Sequence, residues 1–143
     1  MILTARPRWG GVAAAVAGLL LTASAMTSRD GVSRFADSIS YRVFDGVVLS
    51  AMAWALRDAS PGASAAALLG LAGGCLAEYF CVRGRSVGYS IKAGTGSRFI
   101  RCALVVLALL GASPGVWLWT LAVFSFLTAA LRASQAFKEE MAT

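Results

Sequence analysis

The chain has 143 residues, of which 58% are hydrophobic and 14% charged, with a mean hydropathy of +0.71. Soluble domains carry about 25% charged residues, so the composition disfavours a soluble globule and excludes a disordered chain. Histidine is absent, which excludes Ser-His-Asp and Cys-His catalysis and His-ligated metals, and leaves carboxylates as the natural chemistry.

Five apolar segments follow one another. Trp9 to Ser28 is uncharged and long enough to span a bilayer. Its start also reads as a signal peptide: Arg6 and Arg8, an apolar stretch from Val12 to Leu21, and Ala23-Ser24-Ala25 as a cleavage site. Phe35 to Leu56 reads as one helix with a polar first half (Asp37, Tyr41, Arg42, Asp45) and an uncharged second half. Ala59 to Leu76 begins at Ser60-Pro61-Gly62 and continues through Glu78 to Val82. A basic connection then carries Arg83, Arg85, Lys92, Arg98 and Arg101. Cys102 to Leu131 is again uncharged, and Ser113-Pro114-Gly115 breaks it into a hairpin of two short spans. Trp9, Trp54, Trp117 and Trp119 lie near segment ends, as in an interfacial aromatic belt.

The expected architecture is an all-α integral membrane helical bundle with about five transmembrane segments. Residues 1–137 form one transmembrane domain, and residues 138–143 a short cytoplasmic tail. Positive charge sets the orientation. The connection from Arg83 to Arg101, the cluster Arg29, Arg34 and Arg42, and the tail with Arg132 and Lys138 fall inside. The uncharged turn at 111–115 and the Arg57-Asp58 pair fall outside. This places the chain in the cell membrane (inner or plasma) with a cytoplasmic C-terminus. Arg6 and Arg8 conflict with the scheme, because a spanning first segment puts them outside.

The net charge of +6 thus reads as topology. No basic stripe with interleaved aromatics points to nucleic acid. Cys75, Cys81 and Cys102 have no metal-site spacing and read as small packing residues.

Asp37, Tyr41 and Asp45 recur every fourth residue and share one helical face. Carboxylates in a membrane helix are costly and default to a functional reading. The alternative is a solvated turn at the interface, with Arg34 and Arg42 as partners.

The segments SRFADSISYRVFDGVVLSAMAWAL, EYFCVRGRSVGY and GSRFIR, in this order and with apolar spans between them, resemble the CDP-alcohol phosphatidyltransferases. These are integral membrane enzymes of phospholipid biosynthesis. The resemblance covers residues 32 to 137 and implies a six-span fold in which this chain has an altered or missing N-terminal helix. It implies phosphatidyl transfer from a CDP-linked donor, with aspartates holding divalent cations, Mg or Mn, on the diphosphate. On that basis Asp37 and Asp45 are the candidate metal ligands. Arg83, Arg98 and Arg101 are the candidate phosphate or lipid-headgroup ligands, since guanidinium forks suit phosphate.

The chain departs from the family motif Asp-Gly-x2-Ala-Arg-x8-Gly-x3-Asp-x3-Asp. Tyr41 stands where the final Asp belongs and Ser33 where the Gly belongs, while the first half falls on Leu19, Leu20, Ala23 and Ser24. Tyrosine, with a pKa of about 10, is a poor base at neutral pH. Three functions remain open: a transferase of weak activity, a non-catalytic relative that binds lipid headgroups or partners an active transferase, and a small structural membrane protein. Gly70, Gly73 and Gly74 offer a surface for close helix packing in a homodimer or with such a partner.

Overall fold

The computed structural model describes residues 31–91, 95–111 and 113–141, with side chains from Ser40 onward in the first helix and from Arg98 onward in the third. The first apolar segment, its signal-peptide alternative, and Asp30 lie outside the described residues. Four helices follow in chain order: α1 (Gly31–Leu56), α2 (Pro61–Ser86), α3 (Thr95–Leu110) and α4 (Pro114–Glu140). No strand occurs among the described residues.

Proline sets two of the starts. Pro61 and Pro114 open α2 and α4, where a missing N–H costs nothing and the fixed φ suits a first turn. Near the first of these turns Ser64 Oγ donates to the Ala53 carbonyl at 2.7 Å, which pins α2 to α1. After α2, Gly88 adopts a φ of +92°, a conformation that glycine reaches without strain. The Tyr89 N–H then bonds back to the Gly84 carbonyl at 3.0 Å. The Ile91 side chain folds onto Gly84, in the space a Cβ would occupy.

The middle of α2 is a stripe of small residues: Ala63, Ala66, Ala67, Gly70, Gly73, Gly74, Ala77 and Gly84 are all buried. Small side chains let two backbones approach closely. Here the partner is α4 of the same chain. A Cβ on Gly70 would meet Leu121 at 3.2 Å, one on Gly73 would meet Ser125 Cβ at 2.9 Å, and one on Gly115 meets Ala63 at 3.6 Å. These pairings ascend together along both helices, so α2 and α4 run parallel. The glycines expected to serve an intermolecular contact are therefore used inside the chain.

Up-down connectivity then divides the bundle by polarity. At the end of the two Ser-Pro-Gly turns the core is apolar: Leu49, Met52 and Ala53, Ala63, Ala66 and Ala67, Leu104, Val105 and Ala108, Leu118 and Leu121. At the opposite end the buried residues include Asp45, Arg101, Ser125 and Arg132. Among the described side chains each helix exposes apolar groups, with Val47, Leu68, Leu107, Val123 and Leu127 among them.

Two helices, α2 and α4, are long and apolar enough to cross a membrane. The five expected spans are thus matched by two among the described residues. Helix α3 has 16 residues and falls short of the ~20 a span needs, and the polar first half of α1 dilutes its hydropathy. The break at 111–113 occurs as expected, but the halves are unequal. Helix α4 extends over 27 residues to Glu140, past the boundary at residue 137, because nothing in Arg132 to Glu140 stops a helix. Trp54 and Trp119 are exposed at the Ser-Pro-Gly end, and Arg57 stacks on the Trp54 ring at 3.8 Å.

Candidate functional site

The polar end is built around two carboxylates. Asp45, on α1, meets the Arg101 guanidinium of α3 at 2.8 Å, with the side chains 6% and 9% exposed. Burial strips water from both groups, so each depends on the other. Arg101 reaches Asp45 by crossing α2 at Gly74, where any Cβ would collide with the guanidinium. This position requires glycine because a charged side chain passes over the backbone.

Glu78, on α2, is the second centre. Arg132 approaches its Oε1 at 3.3 Å, and Arg42 and Arg98 approach its Oε2 at 3.5 and 3.7 Å. Arg132 is anchored further by donating to the Ala77 carbonyl at 2.8 Å. Tyr41 Oη donates to the Arg98 carbonyl at 3.3 Å, and the Arg98 guanidinium lies 5.9 Å from the Tyr41 ring centroid. One carboxylate on α2 therefore gathers arginines from α1, α3 and α4. Across the cluster, among the described side chains, four arginines gather about two carboxylates.

A cavity of about 260 Å³ opens beside the cluster, between α1 and α2. Tyr41, Arg42, Asp45, Glu78 and Arg101 supply its polar wall, and Leu71, Tyr79 and Val82 its apolar wall. Such a hollow, mostly apolar with one charged wall, fits an amphipathic ligand. Arg42 is its most available cation, because it is half exposed and its ion pair among the described residues is a long 3.5 Å contact with Glu78. Glu78 keeps two other arginines if Arg42 turns to a ligand.

The expected residues fare differently. Asp45 is at the site, but as the partner of an arginine. Arg98 and Arg101 are at the site, and Arg101 is committed to Asp45. Arg83 is exposed in the last turn of α2 and does not line the cavity. Asp37 belongs to the first half of α1, and its side chain lies outside the described residues. Among the described residues no three side chains of metal-binding type come together. Asp45 and Glu78, both engaged by guanidinium groups, do not fit the multi-aspartate, two-cation arrangement that the resemblance implies.

Glu78, Arg42 and Arg132 are the members that sequence reasoning passed over. The signal was present: a lone glutamate in an apolar span is costly enough to demand a cation. Which arginine answers depends on the packing. Arg132, read as part of a polar tail, is 5% exposed. The three thiols are free; Cys81 and Cys102 are buried, and the exposed Cys75 lines the cavity. Comparisons with known protein families, with curated proteins and with solved structures find no match.

Proposed function

We propose that the chain is a membrane protein that holds the phosphate of a lipid headgroup in the cavity between α1 and α2 and performs no phosphatidyl transfer by itself. It is a relative of the CDP-alcohol phosphatidyltransferases that keeps a phosphate-binding surface without the metal motif. The half-exposed Arg42, at the rim of an arginine-rich cluster and in a cavity with one apolar wall, carries this reading. A phosphate enters against Arg42, and the acyl chains leave along Leu71 and Val82 toward lipid.

The exposed apolar side chains on all four helices support an embedded bundle. The bundle lies in the cell membrane with its arginine-rich end and C-terminus at the cytoplasm, following the bias of positive charge. The exposed tryptophans at the other end fit the opposite interface.

The test uses purified protein in nanodiscs. Short-chain phospholipids are expected to bind and raise its thermal stability, while matched neutral glycerides do not. With CDP-diacylglycerol, Mg²⁺ and a panel of alcohol acceptors, no CMP is released above background. Equal effects of phospholipid and neutral glyceride would refute headgroup binding. CMP release abolished by Asp37→Asn would instead establish the enzyme reading.

A further inference from the structure

Three arginines share the Glu78 carboxylate, and they hold it unequally. Arg132 is buried, approaches Oε1 at 3.3 Å and is fastened by donating to the Ala77 carbonyl at 2.8 Å. Arg42 and Arg98 both reach for Oε2, at 3.5 and 3.7 Å. A charge-assisted contact made in full closes to about 2.7–2.9 Å, so neither guanidinium has closed on that oxygen. Of the three arginines only Arg42 lines the larger cavity, and its side chain is 51% exposed. Arg98 and Arg132 share a second, smaller space with Glu78.

Arg42 stands on α1 and Glu78 on α2, so their contact joins the two helices that enclose the cavity, and both side chains belong to its wall. An anion that enters therefore meets a guanidinium with a carboxylate already beside it. That carboxylate is a weak claimant. Its Oε2 is shared with Arg98 and its Oε1 is taken by Arg132, and both of these stay if Arg42 turns away. A phosphate group offers its oxygens unshared and matches the guanidinium fork with two parallel bonds.

We propose that Glu78 is a built-in competitor for the ligand of this cavity: its carboxylate occupies Arg42 while the cavity is empty and yields it when a phosphate group enters. The inference rests on the headgroup reading and adds to it the control of affinity. Exchanging one anion for another at the same guanidinium leaves Arg42 compensated in both states. Affinity is then the difference between two contacts, and removing the carboxylate tightens binding. A Glu78 that served only to assemble the arginines would have the opposite effect, because its loss would scatter them. A Glu78 that acted only by repelling the ligand would tighten binding on removal whether or not Arg42 is present.

The experiment measures the binding of dihexanoyl-phosphatidylglycerol by titration calorimetry, with the full chain in phosphate-free maltoside micelles. Four proteins are compared: wild type, Glu78→Gln, Arg42→Ala and the double variant. Glu78→Gln is expected to bind about fivefold more tightly than wild type, the strength of a long, half-exposed pair. In the Arg42→Ala background the same substitution is expected to change nothing. Equal or weaker binding by a folded Glu78→Gln overturns the proposal, and so does an equal gain with and without Arg42. If Glu78→Gln does not fold, Glu78→Asp decides. It keeps a carboxylate on α2 but draws it back by one methylene, so binding is expected to tighten, and no change or a loss overturns the proposal. The headgroup reading fails by a different result, a wild type that binds dihexanoyl-phosphatidylglycerol no better than dihexanoylglycerol. A gain of phospholipid binding by Glu78→Gln alone would then still support the competitor.

Discussion

An alanine at position 74 would place its methyl group inside the guanidinium of Arg101. The guanidinium ends a flexible side chain and can swing aside, but doing so breaks its 2.8 Å contact with Asp45. Separating a buried ion pair costs about 3–5 kcal/mol, against about 1 kcal/mol that alanine gains over glycine in a helix interior. Gly74→Ala is therefore expected to destabilise the bundle by about 2–4 kcal/mol. Gly46 is the control: a Cβ there meets nothing within 4 Å, and Gly46→Ala is expected to stabilise by about 1 kcal/mol. The decisive comparison is Gly74→Ala in an Arg101→Ala background, where no guanidinium remains to displace and only the gain of about 1 kcal/mol survives. Reversible unfolding in mixed micelles, followed by helical circular dichroism, measures all four variants. If Gly74→Ala costs the same with and without Arg101, backbone crowding is responsible and the account of this glycine is wrong.

The same pair predicts a reversal. Asp45→Leu alone leaves Arg101 buried without its partner and should cost about 3–5 kcal/mol, whereas Asp45→Leu with Arg101→Leu should return to near wild-type stability, since apolar replacement of a buried pair is often neutral; unfolding midpoints of the two variants check this. Arg42→Ala should change stability by less than about 1 kcal/mol, because its pair with Glu78 is long and half exposed. It should nevertheless weaken short-chain phospholipid binding by about tenfold, or about 1.4 kcal/mol, as measured by titration calorimetry. A maleimide should label Cys75 well before Cys81 and Cys102, and a short-chain phospholipid should slow that labelling, which mass spectrometry of the peptides resolves.

Much of the helical organisation was legible because its signals are local. Apolar runs, the prolines at 61 and 114, and the break near residue 112 each act over a few residues, and the helices start and stop there. Helix lengths were less legible. The end of α4 depends on nothing more than the absence of a stop signal, and the hydropathy change at Arg132 marks a polar side chain rather than the end of a helix. The role of Gly70, Gly73 and Gly74 was ambiguous for a different reason: a small-residue stripe states that something packs closely, without stating what.

The site divides in the same way. Asp45, Arg98 and Arg101 stood out by residue type and by the resemblance of their segments, yet their relations did not. Asp45 and Arg101 are 56 positions apart in sequence, and Glu78 and Arg132 are 54 apart. Only the parallel packing of α2 and α4, with α1 and α3 completing the bundle, brings such groups to bonding distance. Asp45, one of the residues so singled out, is paired with Arg101 in the fold.

By itself the amino-acid sequence determined the helical character and the places where helices start, because hydropathy and proline act residue by residue. The tertiary structure decided which charges meet one another. That is a matter of distance in a medium where water cannot screen, and distance between helices is fixed by packing. The composition that first pointed to carboxylate chemistry leads, among the described side chains of the polar end, to two carboxylates held by four arginines.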